Sequence, residues 1–134
     1  MNSKNITIAS DHAGYDLKEA LIKEILQMGF EVLDCGTNSN DSVDYPDYAK
    51  LAVDNVLKKK SEFAILICGS GIGMSITANR FKGIRAALCR TIEDAKLARQ
   101  HNNANILTFA GRQIDVDEAK NCFKIFINTS FDGG

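Results

Sequence analysis

Phe63-Ala64-Ile65-Leu66-Ile67-Cys68-Gly69-Ser70-Gly71-Ile72-Gly73-Met74 is the stretch whose reading decides the fold. Residues 63–68 carry no charge and no polar alternation, the pattern of a strand buried on both faces of a parallel sheet. Glycines at every second position then mark a sharp passage from strand into helix. Outward from this unit, further short apolar runs at residues 6–9, 31–34, 84–88 and 105–109 alternate with stretches of helical period. The expectation is an α/β fold, a three-layer α/β/α Rossmann-like single domain over residues 1–134 with a five-stranded parallel sheet and right-handed crossovers.

Composition agrees with one core. The 134 residues carry 16 Lys plus Arg against 17 Asp plus Glu, a net charge of -1, and 45% are hydrophobic. A chain of this length hides roughly two-thirds of its unfolded surface and needs no staples. Without a dense basic block, no nucleic acid and no membrane partner is expected through charge. No apolar run approaches the roughly 20 residues that span a bilayer. Cys35, Cys68, Cys89 and Cys122 are too scattered for a metal knuckle, and the first residues lack a signal-peptide pattern, so a reduced, cytoplasmic protein is expected.

The first helix is expected over residues 15–28, with Leu17, Ala20, Leu21, Ile25 and Met28 as its apolar stripe and Gly29 as its stop. Lys18, Lys23 and Glu24 read as its solvated face. Pro46 opens a second helix through Tyr48, Leu51, Ala52, Val56 and Leu57, closed by Lys58, Lys59 and Lys60. Further helices are expected over residues 92–101 and 115–128. Sheets of this class bind ligands beyond the carboxyl ends of their strands, so the chemistry should follow each strand.

After residue 68, alternate glycines let backbone N–H groups approach a ligand, and the helix behind favours an anion or a developing oxyanion. The loop is not a Walker loop, since no Gly-Lys-Ser/Thr follows at the required interval. A dinucleotide loop would place its third glycine at Met74, and a cysteine phosphatase loop would need arginine there. What remains is a thiol, Cys68, facing a nest of amides. The thiolate is the reactive form of cysteine, and helix amino ends favour it, so Cys68 can remove a proton. For Cys35, Cys89 and Cys122 the reading is inert packing.

Asp11 and His12 follow the first strand, where Asp11 reads either as a helix cap or as a functional carboxylate beside the imidazole. His101 and Asn102 stand in a polar cluster before the fifth strand, where a histidine also serves as a simple helix end. Arg112 follows the fifth strand and suits either a phosphate or a surface ion pair.

Ser10-Asp11-His12-Ala13-Gly14, Asp44-Tyr45-Pro46, Cys68-Gly69-Ser70-Gly71-Ile72-Gly73, Ala78-Asn79-Arg80, Gly83-Ile84-Arg85-Ala86, Arg99-Gln100-His101-Asn102-Asn103-Ala104-Asn105 and Gly111-Arg112 together resemble the ribose-5-phosphate isomerase B family. The likeness runs in order through nearly the whole chain, and galactose-6-phosphate isomerase subunits and allose-6-phosphate isomerases share that family. It implies an aldose–ketose isomerase acting on a small-molecule sugar phosphate, ribose 5-phosphate first, with no cofactor and no metal. Residue by residue, it implies Cys68 as the base between C1 and C2, with the amides of Gly69, Ser70, Gly71, Ile72 and Gly73 holding the enediolate. Ser70 would support the reacting oxygen, and His101, helped by Asp11, would open the furanose ring. Asn102 would bind the sugar, His12 and Arg112 would lie near the phosphate, and Tyr45 would line the pocket.

Some relatives place a carboxylate base on the helix after the glycine loop, but residues 74–78 contain none. Relatives usually continue past the counterpart of Gly133-Gly134 into a basic tail that helps hold phosphate. The family builds each site from two subunits, so a homodimer or a tetramer of dimers with sites at the subunit interface is implied. Three competing readings stand beside the ribose one: a six-carbon sugar phosphate isomerase, a catalytically silent sugar-phosphate binder, and a zinc site on Asp11, His12, Cys68 and His101.

Overall fold

The uncharged run at residues 63–68 forms the central strand of the sheet in the computed structural model, which describes residues 4–38, 41 and 45–133. Strands β1 (Asn5–Ser10), β2 (Glu31–Asp34), β3 (Phe63–Cys68), β4 (Ala86–Leu88) and β5 (Ile106–Ala110) pair in parallel in the order β2-β1-β3-β5-β4. Helices α1 (Tyr15–Gln27), α2 (Tyr45–Leu57), α3 (Ile72–Asn79), α4 (Ile92–Gln100) and α5 (Val116–Asn128) join them. Ile6, Ile8, Ile65, Ile67, Leu107 and Phe109 face a core shared with α1, α4 and α5. Ala9, Ala64, Leu66, Cys68 and Ile106 face the opposite core with α2 and α3, giving the three expected layers. No helix among the described residues is long and apolar enough to cross a membrane.

The elements follow from the residues. Gly29 turns the chain with φ +91° after α1, and Asp115 leads into α5 in extended conformation. The strand expected at residues 84–88 begins only at Ala86. Before it the Ile84 amide turns back to the Phe81 carbonyl at 3.2 Å and the Asn105 side chain accepts from the Arg85 amide at 2.9 Å. Asp44 and Gly134, which belong to two of the quoted motifs, lie outside the described residues, as does most of the polar loop before Tyr45.

Two expectations about helix faces are corrected. On α2 the buried residues are Ala49, Ala52 and Val53, while Leu51 and Leu57 are 50% and 43% exposed. Small residues lie against β1 and β3, so the helix sits close to the sheet and its large apolar side chains point away. Lys18 is not solvated: its side chain is fully buried, and its ammonium meets the Asp34 carboxylate oxygens at 2.9 and 2.8 Å. The aliphatic stem packs inside while the end of β2 supplies the countercharge. Asp34 Oδ1 also accepts from the Gly36 amide at 2.9 Å, and Gly36 in turn pairs with Ser10, so this ion pair holds the chain beside the end of β1.

Removing only Asp34 leaves the buried ammonium with just the more distant, half-exposed Glu19 carboxylate at 3.4 Å. Asp34→Ala is therefore expected to cost about 3 kcal/mol of folding free energy. The double variant Lys18→Met/Asp34→Ala should recover most of that loss. Urea denaturation of both proteins checks this, and an unchanged midpoint for Asp34→Ala would mean the ammonium finds water.

Candidate active site

Three loops meet where the sheet ends. The Ile67 carbonyl accepts from the Asp11 amide at 3.1 Å, the Cys68 carbonyl from Gly111 at 2.8 Å, and the Gly69 carbonyl from Arg112 at 3.2 Å. The ladder is thus carried past β1, β3 and β5 and ties their following loops together. Two glycines allow the approach: a Cβ on Gly14 would stand 2.5 Å from Ile67 Cγ2, and one on Gly111 would stand 3.1 Å from Gly14 Cα. Asp11 caps the short 3₁₀ turn His12–Gly14, its Oδ1 accepting from the amides of Ala13 and Gly14 at 3.0 and 3.2 Å. The capping reading is therefore correct, and the same Asp11 also lines the cleft described below.

The three glycines after Cys68 have separate physical reasons. Gly71 has φ +75°, and a Cβ there would lie 3.0 Å from the Phe109 carbonyl carbon and 2.5 Å from Leu88 Cδ1. It starts α3 from a left-handed position pressed on β5, where an L side chain is strained as well as crowded. Gly69 leaves room for the Arg112 guanidinium, 3.1 Å from where a Cβ would be, and Gly73 leaves room for the Tyr45 ring, at 2.6 Å. Ser70 Oγ accepts from the Ile72 amide at 3.2 Å, closing the turn locally.

Over this loop lies a cleft of about 500 Å³, lined by Asp11, Tyr45, Cys68, Gly69, Ser70, Ile72, Gly73, Ile76 and Arg112. It is larger than the clefts beside Cys89, about 270 Å³, and beside Lys59, about 390 Å³. Cys68 is only 4% exposed, yet it forms part of the cleft wall at the end of β3. The other thiols sit in different surroundings. Burial, with smaller contributions from neighbouring charges, pushes Cys89 and Cys122 up to about 12, and burial followed by the Asp34 charge raises Cys35. These three stay protonated, in keeping with inert packing.

His12 is half-buried on the 3₁₀ turn and outside the cleft lining. His101 and Asn102 are exposed at the end of α4, just before β5. The chain does not bring them to Cys68. A helix that returns to start the next parallel strand ends at the opposite edge of the sheet. Cys68 pairs with Ala110 at one end of β5, and the strand itself separates the two edges by about 13 Å at 3.3 Å per residue. His101 and Asp11 of one chain thus cannot act together. Among the described residues no three His, Cys, Asp or Glu side chains gather as a metal site.

The profile of the Ribose/Galactose Isomerase family matches residues 6–134. The chain belongs to that family. Within it, the isomerase is similar to a ribose 5-phosphate isomerase of Thermotoga maritima, with 54% identity, 97% of this chain and 90% of that one covered, and a TM-score of 0.96. It is 39% identical to ribose-5-phosphate isomerase B of Escherichia coli strain K12, over 98% of this chain and 88% of that protein. Ribose-5-phosphate isomerase B of Mycoplasma genitalium, solved with bound ribulose-5-phosphate, is 42% identical with a TM-score of 0.92, covering 97% and 87% of the two chains.

Sequence reasoning passed over Ile76 of this isomerase, which lines the cleft while 61% exposed. Its spacing of four from Ile72 was the available signal, since both fall on one side of α3. Arg85 and Arg99 were read only as parts of motifs, because nothing local shows what an arginine grips.

Proposed function

We propose that this isomerase interconverts ribose 5-phosphate and ribulose 5-phosphate through an enediolate held in the cleft over β1 and β3. Cys68 carries the reading, as a thiol in the wall of a sugar-sized cleft beside a glycine loop at a helix start. The Cys68 thiolate takes the proton from C2 of the open aldose and returns it to C1, while the hydroxyl proton passes from O1's neighbour O2 to O1. Amides of Gly69, Ser70, Gly71, Ile72 and Gly73 meet the oxyanion in between, a type of stabilisation that counts most where water is excluded. Ser70 supports the reacting oxygen, Tyr45 bounds the cleft, and Asp11 meets a sugar hydroxyl. Arg112, over Gly69, and His12 take the phosphate, for which a guanidinium fork is well suited.

His101 opens the furanose and Asn102 binds the sugar, both supplied by a second copy of the chain, since their own cleft lies at the far edge. The isomerase accordingly works as a homodimer or a tetramer of dimers. The exposed apolar side chains of α2 and α3, Leu51, Ile72 and Ile76, offer a surface to be covered by association. The bound ribulose-5-phosphate of the Mycoplasma genitalium relative supports a five-carbon sugar phosphate.

Incubation with ribose 5-phosphate in D₂O tests this. Deuterium is expected at C2 of recovered aldose and at C1 of the ketose, read by NMR. Binding without any label would reduce the protein to a silent binder. Ribose 5-phosphate should turn over faster than allose 6-phosphate or galactose 6-phosphate in parallel assays, and the reverse order would change the substrate assigned.

A further inference from the structure

Residues 101–103 form an exposed turn that leads into buried Ala104, and backbone groups of His101, Asn102, Ala104 and Asn105 are all hydrogen-bonded. The Ala104 amide reaches back to the Ala98 carbonyl at 2.9 Å, around Asn103 in left-handed conformation with φ +49°. Two arginines hold this shape. Arg99, 9% exposed and stacked 4.9 Å over the Phe63 ring, donates from Nη1 to Asn103 Oδ1 at 3.0 Å and to the Ala104 carbonyl at 2.7 Å. Its Nε donates to the Thr129 carbonyl at 3.2 Å, so the guanidinium is fixed from the far side as well. Arg85, exposed at the head of β4, donates from Nε to the Asn102 carbonyl at 2.7 Å.

We propose that Arg85 and Arg99 are positioning residues that hold the 101–105 turn rigid, so that His101 and Asn102 reach a ring-closed sugar phosphate in a second copy's cleft in one fixed orientation. The inference rests on the reading of His101 as the ring-opening group. Arg99 satisfies the buried Ala104 carbonyl and packs on Phe63 and Phe126, but the exposed Asn102 carbonyl has no packing need for a guanidinium. A proton-transfer group entering another molecule's cleft does, because misplacement of about 1 Å can cost on the order of a hundredfold in rate. Arg99 sets the fold of the turn from beneath, and Arg85 fixes the Asn102–Asn103 peptide, one residue beyond His101.

The test uses the assembled, full-length enzyme carrying Arg85→Ala, His101→Ala, or both. Arg85 is exposed, so its truncation leaves the core intact, and the thermal midpoint verifies this. Two rates are read. One is conversion of ribose 5-phosphate, whose furanose must open. The other is deuterium exchange into C1 of ribulose 5-phosphate, an open chain because its 5-oxygen is esterified. Arg85→Ala should lower the first about tenfold and the second less than about twofold, and should add nothing to His101→Ala in the double variant. Arg99→Lys keeps the charge but cannot hold the same set of oxygens, and should show the same pattern. Equal losses at both rates, or an Arg85 loss that multiplies the His101 loss, would overturn the proposal. Full activity of Arg85→Ala beside an impaired His101→Ala would overturn it alone. A fully active His101→Ala would remove the role of His101 and the proposal with it.

Discussion

Cys68→Ala is expected to lower turnover of ribose 5-phosphate by about a thousandfold or more, within the range general acid–base groups contribute. Binding of the sugar phosphate should change by less than about threefold, because binding and proton transfer draw on different groups. The cleft keeps its shape, since Gly69, Gly71 and Gly73 are placed by contacts with Arg112, β5 and Tyr45 and not by the sulfur. The helix after the loop offers no carboxylate within residues 74–78 to take over. Ala variants of Cys89 and Cys122, whose thiols burial holds up at about 12, should retain turnover and serve as controls. Steady-state kinetics with calorimetric binding checks both halves, and near-normal turnover of Cys68→Ala would remove the thiol as the base.

Mixing two inactive variants should restore activity. Cys68 and His101 lie at opposite edges of the sheet in one chain. A site built from Cys68 of one copy and His101 of another is therefore intact in half the sites of a Cys68→Ala/His101→Ala hybrid. Random exchange of a two-fold dimer makes half the molecules hybrids, so about a quarter of wild-type activity is expected. Each variant alone should stay near its own low rate. The experiment unfolds and refolds the two proteins together and assays ribose 5-phosphate conversion. No recovery, with mixed dimers demonstrated by mass spectrometry, would mean that both groups serve within one chain or that His101 has no part.

The alternation of strands and helices was legible because buried parallel strands have no polar face to preserve. Residues 63–68 show this without a break, and their strand bounds are as expected. The edge strand was legible only in part. Ile84 and Arg85 are apolar or long enough to join it, but the Ile84 amide turns back to the Phe81 carbonyl and the Asn105 side chain claims the Arg85 amide. Lys18 misled for a related reason: a charged residue is a poor candidate for burial unless its partner is known, and Asp34 lies on another element. The place of His101 follows from topology. Any residue between a helix and the next parallel strand falls at the edge away from the glycine loop.

By itself the sequence determined the layered α/β architecture, the glycine turn after β3 and the thiol at its head, because hydrophobic period and backbone freedom are local properties. Only the tertiary structure decided the strand order β2-β1-β3-β5-β4, the seating of Arg112 over Gly69 and Tyr45 against Gly73, and the separation of Cys68 from His101. Those facts arise from contacts between residues distant along the chain, where burial, countercharge and close backbone approach select one partner among many that local pattern leaves equivalent.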